Sequence, residues 1–254
     1  MHNSPRLAEL YDQYTEKVNT EAQIKATRKK ISEAMSIIQL DELKSRQRVL
    51  RRLQFISDDD VVQLKARVAC EISTGDELML SELLFNGFFN NLTPEQTAAV
   101  VSVFVFEEKV KDATALAKDE LAKPLKEIQA QARAIAKISQ ESKIAINEEE
   151  YVQSFHWELM EVIYDWANGK SFAEIWYVAT HPVRIFPTRL ISLNSKMTDV
   201  YEGSLIRVFR RLEECLRQMA QAAKVMGNEE LESNFETALT KVRRDIVAAQ
   251  SLYL

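Results

Sequence analysis

Leu205, Phe209, Leu212, Leu216, Met219, Ala223 and Met226 follow one another at alternating spacings of four and three. Such a heptad seam commits the stretch from Tyr201 to Met226 to a long helix with one buried edge. Arg207, Arg211, Glu214, Gln218 and Gln221 fall on the opposite side. Gly227 suits the helix end, and Asn228-Glu229-Glu230 opens a final helix striped by Leu231, Phe235, Leu239, Val242 and Ile246. The closing Leu252-Tyr253-Leu254 is apolar enough to be packed.

Upstream the same period recurs. Residues 7–38 read as one long helix with a thin seam of Leu7, Leu10, Tyr14 and Val18, continued less regularly by Ile24, Ile31, Met35 and Ile38. A helix this long with so thin a seam is ordinarily half of a helical hairpin, and no partner for it is evident in the sequence. Leu40 to Leu53 is a second helix, with Leu40, Leu43, Val49, Leu50 and Leu53 on one side and arginines on the other. Phe55-Ile56 and Val61-Val62-Gln63-Leu64 flank an Asp-rich turn at 57–60, the signal of a β-hairpin. Thr93-Pro94-Glu95-Gln96 is a capping box with Pro in the first turn, so Ala98 to Phe106 is read as a buried helix despite its β-branched content. Further helices are expected from Asp119 to Gln140, and from Glu148-Glu149-Glu150 to Trp166, stopping at Asn168-Gly169. With only five Gly and five Pro in 254 residues, the fold class is mainly α.

Several function classes fall away. Two cysteines, Cys70 and Cys215, cannot form a disulfide framework and point to a reducing, cytosolic or nuclear compartment. The longest apolar run, Ala98 to Phe106, is too short to span a membrane and is interrupted by Ser102. The N-terminus lacks the basic and then apolar regions of a signal peptide. Asn168-Gly169-Lys170-Ser171 imitates the end of a phosphate-binding loop, but Tyr164 stands where that motif needs its first Gly. His2, His156 and His181 show no metal-ligand spacing, and His156 reads as a packing residue beside Trp157. Cys215 follows two glutamates, which disfavours a thiolate nucleophile. No catalytic residue and no metal ligand is assigned.

Net charge is −5, unlike a nucleic-acid binder, yet Lys25 to Arg52 carries nine basic residues against three acidic ones and the remainder stands at −11. A local basic stretch matters more to a polyanion than the total does, although on charge alone a solvated helix face is the preferred reading of this one.

Longer motifs identify a family. Leu40-Asp-Glu-Leu-Lys44, Arg48-Val-Leu-Arg-Arg-Leu53, Lys65-Ala-Arg-Val-Ala-Cys-Glu-Ile72, Asp76-Glu77-Leu78, Leu83-Leu-Phe-Asn-Gly87 and Phe104-Val-Phe106 come first. Met197-Thr-Asp-Val-Tyr-Glu-Gly-Ser-Leu-Ile-Arg207, Arg210-Arg-Leu-Glu-Glu214, Arg244-Asp-Ile-Val247 and Ser251-Leu-Tyr-Leu254 follow. Together, over nearly the whole chain, they resemble the C-terminal third of superkiller-type DExH-box RNA helicases, in the branch that serves the nuclear exosome and the TRAMP polyadenylation complex.

The resemblance implies three parts. Residues 1–38 look like the returning arm of an arch stalk, residues 39–72 like the end of a winged helix with a β-hairpin, and residues 73–254 like a DSHCT-type helical bundle. In such helicases the bundle caps the motor domains and offers a ratchet helix, here Tyr201–Met226, to RNA threading past. The positions matching RNA contacts are Arg211 and Glu214, with Arg207, Gln218 and Glu108 as weaker candidates. A guanidinium can stack on an unpaired base or pair with a phosphate, and a carboxylate can accept from an exocyclic amino group. The structural alternative is that Arg207, Arg211 and Glu214 form surface ion pairs with one another. Lys29, Arg46 and their neighbours make a less specific basic surface. The implied partners are single-stranded RNA, helicase motor domains, and exosome and TRAMP components, with no membrane and with a nuclear or nucleolar location. ATP and Mg belong to the parent family, and no cofactor is expected for this chain.

Two departures stand out. The sequence contains no complete phosphate-binding loop and no Asp-Glu-x-His, since Asp41-Glu42, Asp76-Glu77 and Asp119-Glu120 all lack the His. It therefore cannot drive ATP hydrolysis by the family mechanism, and Met1, inside the apparent stalk, suggests a truncation or a misplaced start. Residues 176–195 interrupt the family pattern between Ile175 and Lys196-Met197 and fit a retained intron. If Trp176-Tyr177-Val178 is encoded TGG-TAC-GTA and Asn194-Ser195 AAC-AGC, a splice donor and acceptor bracket the segment. As translated, it would form an exposed loop. The reading that follows is an RNA-guiding C-terminal domain of an exosome-cofactor helicase. The alternatives are a scaffold module that packs on motor domains without touching RNA, and a winged-helix DNA-binding protein, disfavoured because the module lacks its first helices.

Overall fold

A computed structural model of the chain describes residues 6–35, 39–108, 116, 118–175 and 202–248. The segment 176–195, the final Leu252-Tyr253-Leu254 and residues 36–38 lie outside the described residues. The chain divides into two compact units, residues 1–48 and 49–254.

The first unit holds α1 (Leu7–Met35), which no Gly or Pro interrupts. Its seam is bare: Leu10 is 56% exposed, Tyr14 64% and Ile31 54%. Lys17–Glu21 at 3.9 Å and Lys29–Glu33 at 3.7 Å add i,i+4 pairs along its surface. The second helix, α2 (Gln39–Arg52), begins in this unit and ends in the next.

In the second unit Phe55 is buried behind α2 with Val49, Leu53 and Ala69. The hairpin expected here does not form as strands. A single antiparallel bridge joins Ile56 to Val62, closed by Ser57 N–H to the Val61 carbonyl at 2.9 Å and Gln63 N–H to the Phe55 carbonyl at 2.9 Å. A two-stranded ribbon needs a buried face to persist, whereas Val61 and Val62 are 58% and 59% exposed and only Phe55 reaches the core. The short helix α3 (Leu64–Ala69) follows, and Lys65 ties it to the rest by donating to Glu82 and to the Leu53 carbonyl.

The main core begins at α4 (Glu77–Phe85), capped by Asp76, whose carboxylate accepts from Met79 N–H at 2.8 Å. A 3₁₀ turn at Phe88–Asn91 leads to α5 (Pro94–Ser102). The capping box is present in both directions: Gln96 N–H reaches Thr93 Oγ1 at 3.3 Å, and Thr93 N–H reaches Gln96 Oε1 at 3.0 Å. Every residue from Thr97 to Ser102 is buried, and a tight turn carries the equally buried Val103–Phe106 beyond the helix end. The cap thus decides for helix over strand, as the sequence predicts, but the helix stops at Ser102 instead of running to Phe106.

Next comes α6 (Asp119–Glu141), which buries Leu121, Ile128, Ala132 and Ile135. The helix expected from Glu148 to Trp166 is two: α7 (Glu148–Gln153) and α8 (Met160–Ala167). No residue from Phe155 to Met160 is exposed. This segment turns between layers, with Phe155 edge-on to Phe104 at 5.4 Å and to Tyr151 at 5.1 Å. Ser154 Oγ bonds back to the Tyr151 carbonyl at 2.7 Å and closes α7. Gly169, at φ 98°, lies just past the end of α8.

Two helices complete the bundle as a hairpin, α9 (Glu202–Met226) and α10 (Glu229–Val242), joined through Gly227 at φ 75°. Leu205, Phe209, Leu212, Leu216, Met219 and Ala223 are all 0% exposed. The last helix does not run on to Ile246, because Arg243 and Arg244 break it before α11 (Asp245–Ala248). Arg244 is drawn away to lie 3.6 Å over the Trp166 ring while donating to the Trp166 and Lys170 carbonyls. Trp166 Nε1 in turn donates to the Val242 carbonyl at 2.9 Å.

Candidate nucleic-acid interface

The buried seam fixes the rotation of α9, so its other side must face outward. There the sequence-predicted residues come together. Arg207 Nη2 donates to Ser204 Oγ at 2.9 Å and lies 3.9 Å from Glu108. One turn on, Arg211 Nη2 donates to Glu107 Oε1 at 2.7 Å. Glu214 accepts from Arg217 Nη2 at 2.6 Å and Nε at 3.0 Å, and from the Gln218 amide at 2.8 Å. Gln218 Oε1 accepts Ser73 N–H at 2.8 Å and Thr74 N–H at 3.0 Å, and its Nε2 also donates to Ser73 Oγ at 3.1 Å.

The ion pairs of this face differ from those expected within the helix. Neither Arg207 nor Arg211 is paired with Glu214 by a short contact in the cluster; each arginine meets a glutamate from the segment after α5, and Glu214 meets Arg217. Glu108 is thereby brought to the α9 face. Sequence reasoning missed Glu107, Arg217, Ser73 and Thr74. Glu107 adjoins a candidate and Arg217 lies three residues past another, but only the fold carries residues 73–74 and 107 to α9.

Charge is tightly coupled here. The hydrogen bond from Arg211 holds the Glu107 carboxyl below the usual carboxylate range, and raises Arg211 itself. Glu214 is lowered likewise, first by its bond from Arg217 and also by Gln218. Beneath them Cys215 is wholly buried, and burial with the nearby Glu214 charge pushes its thiol up to about 12. Both effects disfavour the thiolate. The basic stretch around α2 is partly neutralised: Arg46 pairs with Glu42 at 2.7 Å, Arg51 with Asp60 at 2.5 Å and Arg52 with Glu141 at 2.5 Å. Among the described residues no group of three or more His, Cys, Asp or Glu could hold a metal ion, and no helix is long and apolar enough to cross a membrane.

Comparison with known proteins identifies the family. Residues 59–250 match the DSHCT (NUC185) domain model. The chain belongs to the DSHCT family. Over its full 254 residues this DSHCT chain is 54% identical to the ATP-dependent RNA helicase mtr4 of Schizosaccharomyces pombe and 47% identical to the human exosome RNA helicase MTR4. It is 41% identical over 233 residues, 92% of its length, to the DExH-box ATP-dependent RNA helicase DExH9 of Arabidopsis thaliana. The chain spans about a fifth of each of these relatives, 21%, 22% and 22% respectively.

Proposed function

We propose that this chain is the RNA-guiding C-terminal region of an ATP-dependent exosome-cofactor helicase acting in RNA surveillance, processing and 3′–5′ decay. The observation that carries the reading is the convergence of Arg207, Arg211, Glu214 and Glu108 on one outward face of a helix whose other edge is locked in the core. Arg211 offers a guanidinium for stacking on a base or pairing with a phosphate, and Glu214 an acceptor for exocyclic amino groups. Gln218, whose amide is engaged on both sides, acts as a positioning residue that holds Glu214 against the 73–74 loop. Arg207 and Glu108 extend the contact along the strand.

Relatives named as exosome and DExH-box RNA helicases support single-stranded RNA, motor domains and exosome components as partners, and a nuclear setting. Assembly with a TRAMP-type complex and a nucleolar location belong to the same proposal. ATP and Mg would be bound by motor domains rather than by residues of this sequence.

Fluorescence anisotropy with a labelled oligouridine tests the reading. Binding should weaken as salt rises, because displacing counterions from the backbone drives part of it. Arg211→Ala should raise Kd about five-fold or more, the value of one stacked base. A Kd that Arg211→Ala leaves unchanged favours the scaffold role, in which these helices only pack on other domains. A preference for duplex DNA would favour the winged-helix reading.

A further inference from the structure

The arginines of the α9 face are already occupied. Arg207, Arg211 and Arg217 each have one carboxylate within ion-pair distance, from Glu108, Glu107 and Glu214 respectively. The set is therefore charge-balanced, and a phosphate approaching Arg211 meets the Glu107 and Glu108 charges together with the guanidinium. We propose that Glu107 is a built-in competitor for RNA phosphate at Arg211, so that a phosphate takes the Arg211 Nη2 donor only by displacing the Glu107 carboxylate. This inference rests on the RNA-contact reading above.

The geometry suits a reversible competitor. Val105 and Phe106 are 0% and 2% exposed, so the backbone that presents Glu107 is anchored in the core. Its side chain nevertheless stands 72% exposed, against 40% for Arg211. Anchoring keeps the carboxylate at high effective concentration beside the guanidinium. Solvent keeps the pair weak, because exposed ion pairs shift an equilibrium by only about 1.5- to 5-fold. A carboxylate is charged, and hence competing, at neutral pH, and the hydrogen bond from Arg211 lowers the Glu107 pKa further. An unpaired base carries no net charge and is repelled less than a phosphate is. The balanced face thereby favours base planes and edges over backbone, a selectivity for single strands built from two residues 104 positions apart.

The test titrates labelled oligouridine against the full chain, E107Q, R211A and the double variant E107Q/R211A at low salt. E107Q should lower Kd about two- to five-fold, the weight of an exposed pair. The double variant should bind as R211A does, and the gain should narrow as salt screens the internal pair. The exposure of both side chains means that E107Q should keep the thermal unfolding of the parent chain. E107Q binding no tighter than the parent overturns the inference, as does an equal gain in the R211A background, which would reflect only the loss of a negative charge. Parent binding that R211A does not weaken, or no binding at all, overturns the RNA-contact reading and this inference with it.

Discussion

At Gln218 one side chain does two jobs. Its carbonyl oxygen satisfies two backbone N–H groups of the 73–74 loop, and its NH₂ holds Ser73 Oγ and Glu214. A buried or half-buried donor left without a partner costs about 1–3 kcal/mol, so this amide is held in place by the loop it closes. Glu214 inherits that fixity and presents a preset acceptor. The residue next to it illustrates the opposite outcome. Cys215 lies on the core side of the same helix, where burial suppresses its thiolate, while Cys70 is exposed. Titration of the native chain with an aromatic disulfide reagent should therefore modify Cys70 promptly, and Cys215 only once denaturant opens the core. Prompt release of two equivalents would contradict the packing described for α9.

Among the elements, α5 shows how a local cap outweighs intrinsic preference. Its Val-rich stretch has strand propensity, yet Thr93 and Gln96 satisfy two N-terminal N–H groups reciprocally and Pro94 presets the first turn. Thr93→Ala should cost about 1 kcal/mol and lower Tm by roughly 2–4 °C, the usual scale for a domain of this size. An unchanged Tm in differential scanning calorimetry would mean that burial alone sets this helix. The cap was legible because its residues are neighbours in sequence, and the α9 seam was legible because period is a local property. What escaped was decided by distant partners. The turn at 155–159 is pulled from helix by packing on Phe104, and α10 is cut short because Arg244 finds the Trp166 ring 78 residues away. The hairpin signal at 55–64 was real in composition but lacked a surface for Val61 and Val62 to cover. The candidate interface divides the same way. Spacing placed Arg207, Arg211, Glu214 and Gln218 on one face, but nothing in the local sequence tells which carboxylate each arginine meets.

Across the whole molecule, charge is arranged locally rather than in bulk. The chain carries −5, and the basic run of Lys25 to Arg52 meets acidic partners at Glu33, Glu42, Asp60 and Glu141. Neither net charge nor that run therefore marks out a surface as the paired residues of the α9 face do. In that face a buried helix edge positions a few charge-balanced polar groups, on which the proposed guiding of a strand rests. The central claim, that RNA passes over this face, is tested most directly by photocrosslinking the full chain to a 4-thiouridine-containing single strand and mapping the modified peptides by mass spectrometry. The account predicts crosslinks within residues 207–218 and beside 107–108. Crosslinks confined to α1 and α2, with none on α9, would contradict it.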